Sequence, residues 1–430
     1  GATIDDLTMW SAERFADAKR LCYEAALAEE KALKATKAGE YDLLVKGDTL
    51  GLRLRPTLYD VVMHAIIPSN IYLNDTKTKN LLYNHRNQLY GTAEEFVSLC
   101  LPSDTLSYDE LWQLSKLQEL TRHHQATADA AVRAHVDHRR MEALGYIQHY
   151  SNADVLQEAY IKGLERIAES YRGNATEQAM FLFKLADYHK PTIYEYSNEE
   201  TIERELKRAA RMEQYIECIR EIAPDSEWAK ASEALYKRAT HPYLKLQSCK
   251  TLLPGRESSI TITLRGAGSI AYRIVPRHAG ETTDNFNYKE LIGRKSVGKA
   301  YEIVHPEYPN PYVYKEVELP LAALEAGDYF VIATNNGKTE EDSKRSSITA
   351  ISVSNLKLSV LANEAEGEYI GMVIDATTGE AVKDCEVTLM EKTSKRTHFI
   401  EDYEVDEMGY FTVPSPTGKY RNLYLVATDG

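Results

Sequence analysis

At His241-Pro242 the spacing of apolar residues changes. Before this point they recur every three or four positions, the period of a helix. After it they alternate, the period of a strand, and glycine and valine become commoner. Such a chain is expected to be multidomain, α then β. With 430 residues it has room for two to four domains. We expect an all-α domain over 1–241, a β-sandwich over 242–355 and a second sandwich over 356–430.

Residues 5–37 are expected to form one long helix, with Leu7, Trp10, Phe15, Ala18, Leu21, Cys22 and Ala25 as its apolar stripe. Further helices are expected over 57–66, 75–98, 107–121, 124–148, 153–171, 175–189, 198–222 and 226–239. Ser107 with Glu110 has capping-box spacing, and Pro224-Asp225-Ser226 opens the last helix. Short loops imply antiparallel helical hairpins. AMFLFKLADYH (179–189) and the helix-turn-helix of 208–239 resemble tetratricopeptide hairpins, at a spacing wider than the usual repeat of about 34 residues.

The β half begins with SSITITLRG (258–266), where Ile260, Ile262 and Leu264 alternate with Thr261, Thr263 and Arg265. AYRIVPR answers it as a hairpin across Gly266-Ala267-Gly268. Strands are expected over 312–320, 327–336 and 346–362, giving an antiparallel sandwich of immunoglobulin-like shape. The second unit starts near Leu356, with strands over 369–375, 382–390, 397–404, 409–413 and 422–428.

The stretch VIDATTGEAVKDCEVTLM (373–390) clusters Asp375, Thr377, Thr378 and Asp384 around a glycine, like ligands or nucleophiles. The simpler account makes it a corner. Gly379 supplies a positive φ, and Asp375 and the threonines bond the turn backbone. Cys385, Val387 and Leu389 then share one strand face, which a one-residue slip would expose.

The search for chemistry elsewhere gives no catalytic, cofactor or metal residue, and we read the chain as not an enzyme. RGAGSIA (265–271) has the shape of a dinucleotide fingerprint but lies between strands, without the helix that would hold a pyrophosphate. His123, His124, His135 and His138 fall in one expected helical region and read as a polar face, because zinc needs its ligands to converge. There is no H-E-x-x-H and no G-x-S-x-G. The dispersed cysteines Cys22, Cys100, Cys218, Cys249 and Cys385 read as buried free thiols. A formal net charge of -14 argues against a nucleic-acid or anionic-membrane partner, and no apolar run approaches bilayer length. Twenty-nine tyrosines against eight phenylalanines suit half-buried faces and protein contacts. The leading glycine reads as the scar of a cleaved tag. On that reading any signal peptide has been removed and the chain is a piece of a longer protein.

In the β half, LLPGRESSITITLRG (252–266), LEAGDYFVIAT (324–334) and VSNLKLSV (353–360) resemble a macroglobulin domain of the alpha-2-macroglobulin family. The family's D-x-x-T-G-x-P-V-x-x-A-x-V-x-L pattern is similar to Asp375, Thr378, Gly379, Glu380, Ala381, Val382, Cys385, Val387 and Leu389. Ala381 stands in place of proline and Cys385 in place of alanine. Asp406, Gly409 and Phe411 match the later D-x-x-G-x-F. The order of elements looks like the N-terminal part of a large Bacteroides-type bacterial alpha-2-macroglobulin-like protein. The resemblance implies two macroglobulin-like sandwiches behind a helical domain. It further implies an extracytoplasmic protein, in the periplasm or at the cell surface, that traps proteases after cleavage of a bait segment. Proteases would be its partners through the full-length protein, with a protein partner for the helical domain. The family's C-x-E-Q thioester motif is absent, so bait and any thioester are expected beyond residue 430. The alternative is a surface binding, adhesion or transport-associated protein, with the hairpins for recognition and the sandwiches as a stalk.

Overall fold

The computed structural model describes residues 18–41, 49–71, 76–101, 109–145, 153–247, 251–278, 281–283, 286–299, 302–305, 310–335, 346–363, 366–393, 397–415 and 422–429. The chain divides into two compact units, Gly1–Lys190 with Lys207–Lys237, and Pro191–Leu206 with Arg238–Gly430.

Helices run in the order α1 (18–27), α2 (Glu30–Ala35), α3 (Thr49–Leu54), α4 (Leu58–Ile66), α5 (Thr76–Leu89), α6 (Ala93–Val97), α7 (Asp109–His124), α8 (Ala130–Gly145), α9 (Ala153–Ser170), α10 (Ala175–Tyr188), α11 (Glu199–Ile222) and α12 (Glu227–Ala239). The main helical core gathers Met63 of α4, Leu117 of α7, Met141 of α8, Leu164 of α9 and Phe181 of α10. A second cluster is built from small residues, Ala179, Ala223 and Ala229 around Ile219, which let α10, α11 and α12 approach closely. None of the described helices is long and apolar enough to cross a membrane.

Three helix expectations change. Residues 5–17 lie outside the described part, and the rest of the first helix breaks at 28–29. Leu21 and Cys22 of the expected stripe are exposed, while Tyr23, Leu27 and Leu33 pack on the core. Leu27 and Leu33 would lie about 120° apart on a continuous helix, and the break lets both reach the interior. The span 75–98 splits because Thr92 starts a new helix. Glu95 N donates to Thr92 Oγ1, and Thr92 N donates to Glu95 Oε2 at 2.7 Å, closing a capping box. The span 124–148 starts only at Ala130, where Ala131 N donates to Asp129 Oδ1 at 2.9 Å. Ser107 lies outside the described residues. Cys100 and Cys218, like Cys22, are exposed and Cys385 is half-buried, so these free thiols are not the buried ones expected; Cys249 is outside the described residues.

In the β part, β1 (Tyr243–Leu246), β2 (Ser258–Arg265) and β5 (Lys315–Leu321) form an antiparallel sheet in the order β1-β2-β5. The facing sheet is β4-β3-β6-β7, from β3 (Ile270–Pro276), β4 (Glu302–Val304), β6 (Gly327–Asn335) and β7 (Ser346–Val353). Ile260, Ile262 and Leu264 meet Ile274, Val331 and Ile351 between the sheets. The opposite face of β3 and β6 is also covered. Leu291, from the short helix α13 (Tyr288–Gly293), packs there on Val275, Phe330 and Ile332. Burial on both faces explains why YFVIA (329–333) is a continuous apolar run. Because β2 and β3 belong to different sheets, Gly266-Ala267-Gly268 is a sheet-crossing corner and not the expected hairpin.

The remaining strands are β8 (Leu356–Asn363), β9 (Glu368–Asp375), β10 (Cys385–Lys392), β11 (Thr397–Glu404), β12 (Tyr410–Pro414) and β13 (Leu423–Asp429). They pair antiparallel as β12-β9-β8 and β11-β10-β13. Val373, Phe411 and Val413 of one sheet bury against Val387 and Leu389 of the other. The Phe411 ring fills the space over Gly371, where a Cβ would stand 1.9 Å from Cζ.

This register gives a direct expectation. Leu389→Ala should cost about 2–5 kcal/mol in urea unfolding, as for other buried leucines. Glu386→Ala, on the solvent face of β10, should change stability by about 0.5 kcal/mol or less. Equal effects would mean the two faces are misassigned.

Candidate functional site

The corner after β9 is fully accounted for by its backbone. Asp375 Oδ1 accepts from Thr377 N and Thr378 N, both at 2.8 Å, and Thr378 Oγ1 accepts from Glu380 N at 3.2 Å. Gly379 has φ 79°, the left-handed region that only glycine adopts freely. The Thr378 and Thr377 N–H groups hold the Asp375 carboxyl below its usual range. Asp384 is exposed beside the turn. The Asp406 corner repeats the device, with Met408 N and Tyr410 N donating to Oδ1 at 2.9 and 2.8 Å. In each corner a single carboxylate oxygen caps two N–H groups of the turn, which positions the chain.

The helical unit holds the richer polar constellation. Asp60, only 1% exposed, sits in the first turn of α4. Its Oδ2 accepts from Thr57 N at 2.8 Å and Thr57 Oγ1 at 2.7 Å, a capping box that starts α4. Its Oδ1 lies 2.6 Å from Nε2 of His124, which is 5% exposed at the end of α7. Nδ1 of His124 is 3.1 Å from Thr127 Oγ1. Burial alone would raise the Asp60 carboxyl, but the bonds from His124 and Thr57 outweigh it and hold it low. His123 packs its ring on Tyr59 and His124, with centroids 5.0 and 4.6 Å away. Burial, with His124 and Lys34 nearby, lowers its affinity for a proton.

A second buried carboxylate lies on α8. Asp137 Oδ1 accepts from the fully buried Arg140 at 2.9 Å, and Oδ2 accepts from Tyr171 Oη at 2.9 Å. Arg140 also donates to the Leu89 carbonyl at 3.3 Å and lies 5.0 Å over the Phe96 ring. A cleft of about 270 Å³ opens beside both networks, lined by Thr121, His124, Gln125, Arg133, Asp137 and Tyr171 among others.

The four histidines do not share one helix. His123 and His124 end α7, while His135 and His138 lie on α8. They do not form a solvated face either. The His135 ring lies tilted with its centroid 4.9 Å from that of the buried His64 and accepts from Arg55 Nε at 3.2 Å, and the His138 ring centroid lies 6.4 Å from that of Trp228. Helix packing draws them inward because α7 and α8 pack against α4 and α9. The sequence reading does not single out Asp60 or Asp137, and it places Arg140 only on the polar face with the histidines. Of these, Asp60 carried a signal: T-L-Y-D at 57–60 has an acid three residues after a threonine, the spacing of a cap.

No family model matches the chain, and no curated protein matches it. Solved structures that resemble it include native alpha-2-macroglobulin from Escherichia coli spanning domains NIE-MG1, at TM-score 0.31 and 14% identity over 43% of this chain and 96% of that one. Another spans domains MG0-NIE-MG1 of the same protein, at TM-score 0.33 and 15% identity over 44% of this chain and 61% of that one. A Salmonella alpha-2-macroglobulin mutant aligns at TM-score 0.28 and 12% identity over 43% of this chain and 12% of that one. These structural neighbours are bacterial alpha-2-macroglobulin fragments, at low similarity.

The buried histidines set a pH dependence. Burial, reinforced by Arg55 at His135, Lys184 at His138 and Arg208 at His189, holds each ring down to about 4, against 6.5 in the open chain. Burial and Arg55 hold His64 down to about 2. The folded state therefore binds fewer protons than the unfolded chain below pH 6.5. This contribution is complete above pH 6.5 and is lost as pH falls towards 4. Urea midpoints of the helical unit should drop over that window, and a His135→Gln, His138→Gln double variant should drop less. An unchanged profile in the double variant would contradict these buried neutral rings.

Proposed function

We propose that this chain is a non-enzymatic scaffold within an extracytoplasmic, macroglobulin-type endopeptidase inhibitor. The reading divides it into a helical domain (1–241) with tetratricopeptide-like hairpins and two macroglobulin-like sandwiches (242–355 and 356–430). The observation that carries it is the corner at 375–382, where Asp375, Thr378 and Gly379 turn the chain out of one sheet and Val387 and Leu389 seal it against the other. These are the positions at which the sequence resembles the macroglobulin pattern. Two antiparallel sandwiches in series, joined at Ser354-Asn355, suit a shell-building role. Trapping itself belongs to the full-length protein, since the 430 residues contain no C-x-E-Q.

A second reading makes the helical domain a recognition surface with the sandwiches as its stalk. The mixed-polarity cleft beside His124 and Asp137 favours it.

The full-length protein should be cut by several proteases at one exposed segment. It should then shield the bound protease from large substrates while small ones still reach it. The 430-residue chain alone should inhibit nothing. Unimpeded cleavage of large substrates after mixing would overturn the inhibitor reading. Retained binding of a protein partner by the helical domain would then leave the recognition reading in its place.

A further inference from the structure

We propose that Asp60, His123 and His124 bind a divalent transition-metal ion of the zinc class, which staples the first turn of α4 to the last turn of α7. The inference goes beyond the scaffold reading and does not rest on it.

The ligand atoms of these three residues lie within 4.8 Å of one another. Two imidazoles and a carboxylate are the donor set that zinc, cobalt and nickel favour. Each buried ligand is already oriented by its remaining polar atom. Asp60 is held through Oδ2 by Thr57 N and Oγ1, and His124 through Nδ1 by Thr127 Oγ1. Outer contacts of this kind fix ring tautomer and carboxylate angle in metal centres. They leave Asp60 Oδ1 and His124 Nε2 facing each other at 2.6 Å. At 2.6 Å the two atoms share a proton in a hydrogen bond. Two ligands of one tetrahedral zinc stand about 3.3 Å apart, so the ion would displace that proton and part the side chains by about 0.7 Å. A shared proton needs only these two groups. His123, edge-on to Tyr59 beside them, supplies the third ligand a metal needs. Lys34, the cation facing His123, is tied to Glu30. His124 lines the cleft, which gives the ion an entry path. Three protein ligands leave a fourth tetrahedral position for water or a partner's side chain.

The test titrates Zn²⁺ and Co²⁺ into the whole chelator-treated chain, by calorimetry and by visible absorption of cobalt. The expected result is one equivalent bound, a tetrahedral cobalt spectrum and a raised melting temperature. Asp60→Asn removes a buried acceptor from its capping box and risks the fold. His123→Ala, at a half-buried position, is therefore the main variant. It should keep the circular dichroism of the parent and bind about tenfold more weakly or worse. His135→Ala should bind as the parent does. Failure of the parent chain to bind either ion would show that Asp60 and His124 share only a proton, and overturns the proposal. Binding undiminished in His123→Ala would place the ion elsewhere and overturns it equally.

Discussion

The helical unit depends on what happens to one carboxylate. Asp60 is buried, and an ionised carboxylate out of water costs several kcal/mol unless donors surround it. Thr57 and His124 supply those donors from two directions. The first starts α4 and the second fastens α4 to the end of α7, which lie 64 residues apart in the chain at these two side chains. Asp137 does the same work between α8 and α9, through Tyr171, and holds Arg140 against the Leu89 carbonyl at the end of α5. Removing either carboxylate would strand buried donors, so these pairs specify which helices meet more than they add net stability.

The β part solves the same problem with backbone. Ladders satisfy the strands, and the corners need side-chain acceptors where the ladder stops. Asp375 and Asp406 fill that need, each accepting two N–H groups of the following turn. Apolar packing then decides the register, with Val387 and Leu389 turned to Val373, Phe411 and Val413. Seen this way, polar clusters that look chemical are the means by which chain direction changes at little cost. That is the physical basis for reading the chain as scaffold.

Much of this was legible in the sequence. Long helices with a clear period, such as α9 to α12, and alternating strands, such as β9 to β13, fall close to their expected bounds. The α-to-β switch at His241-Pro242 was plain because two different periods meet there. The elements without a clear period in the sequence are short or dictated from a distance. β1, β4, α3 and α13 span three to six residues and owe their shape to partners far along the chain. The histidines fall differently because the break expected at 122–123 lies instead at 125–129, where the chain turns. With His123 and His124 on α7 and His135 and His138 on α8, each imidazole has a different neighbour. Asp137 and Arg140 carry no local signal, since an i, i+3 charge pair reads equally as an exposed one.

The central claim is that the Asp375 carboxylate turns the chain at the D-x-x-T-G corner by accepting two backbone N–H bonds. Comparing Asp375→Asn with Asp375→Ala by urea unfolding of the second sandwich tests it most directly. An asparagine oxygen can accept the same two N–H bonds, so Asp375→Asn should keep most of the parent's stability while Asp375→Ala loses it. An equal loss in both variants would show that the charge, and not the turn, is what this residue supplies, and would contradict the account.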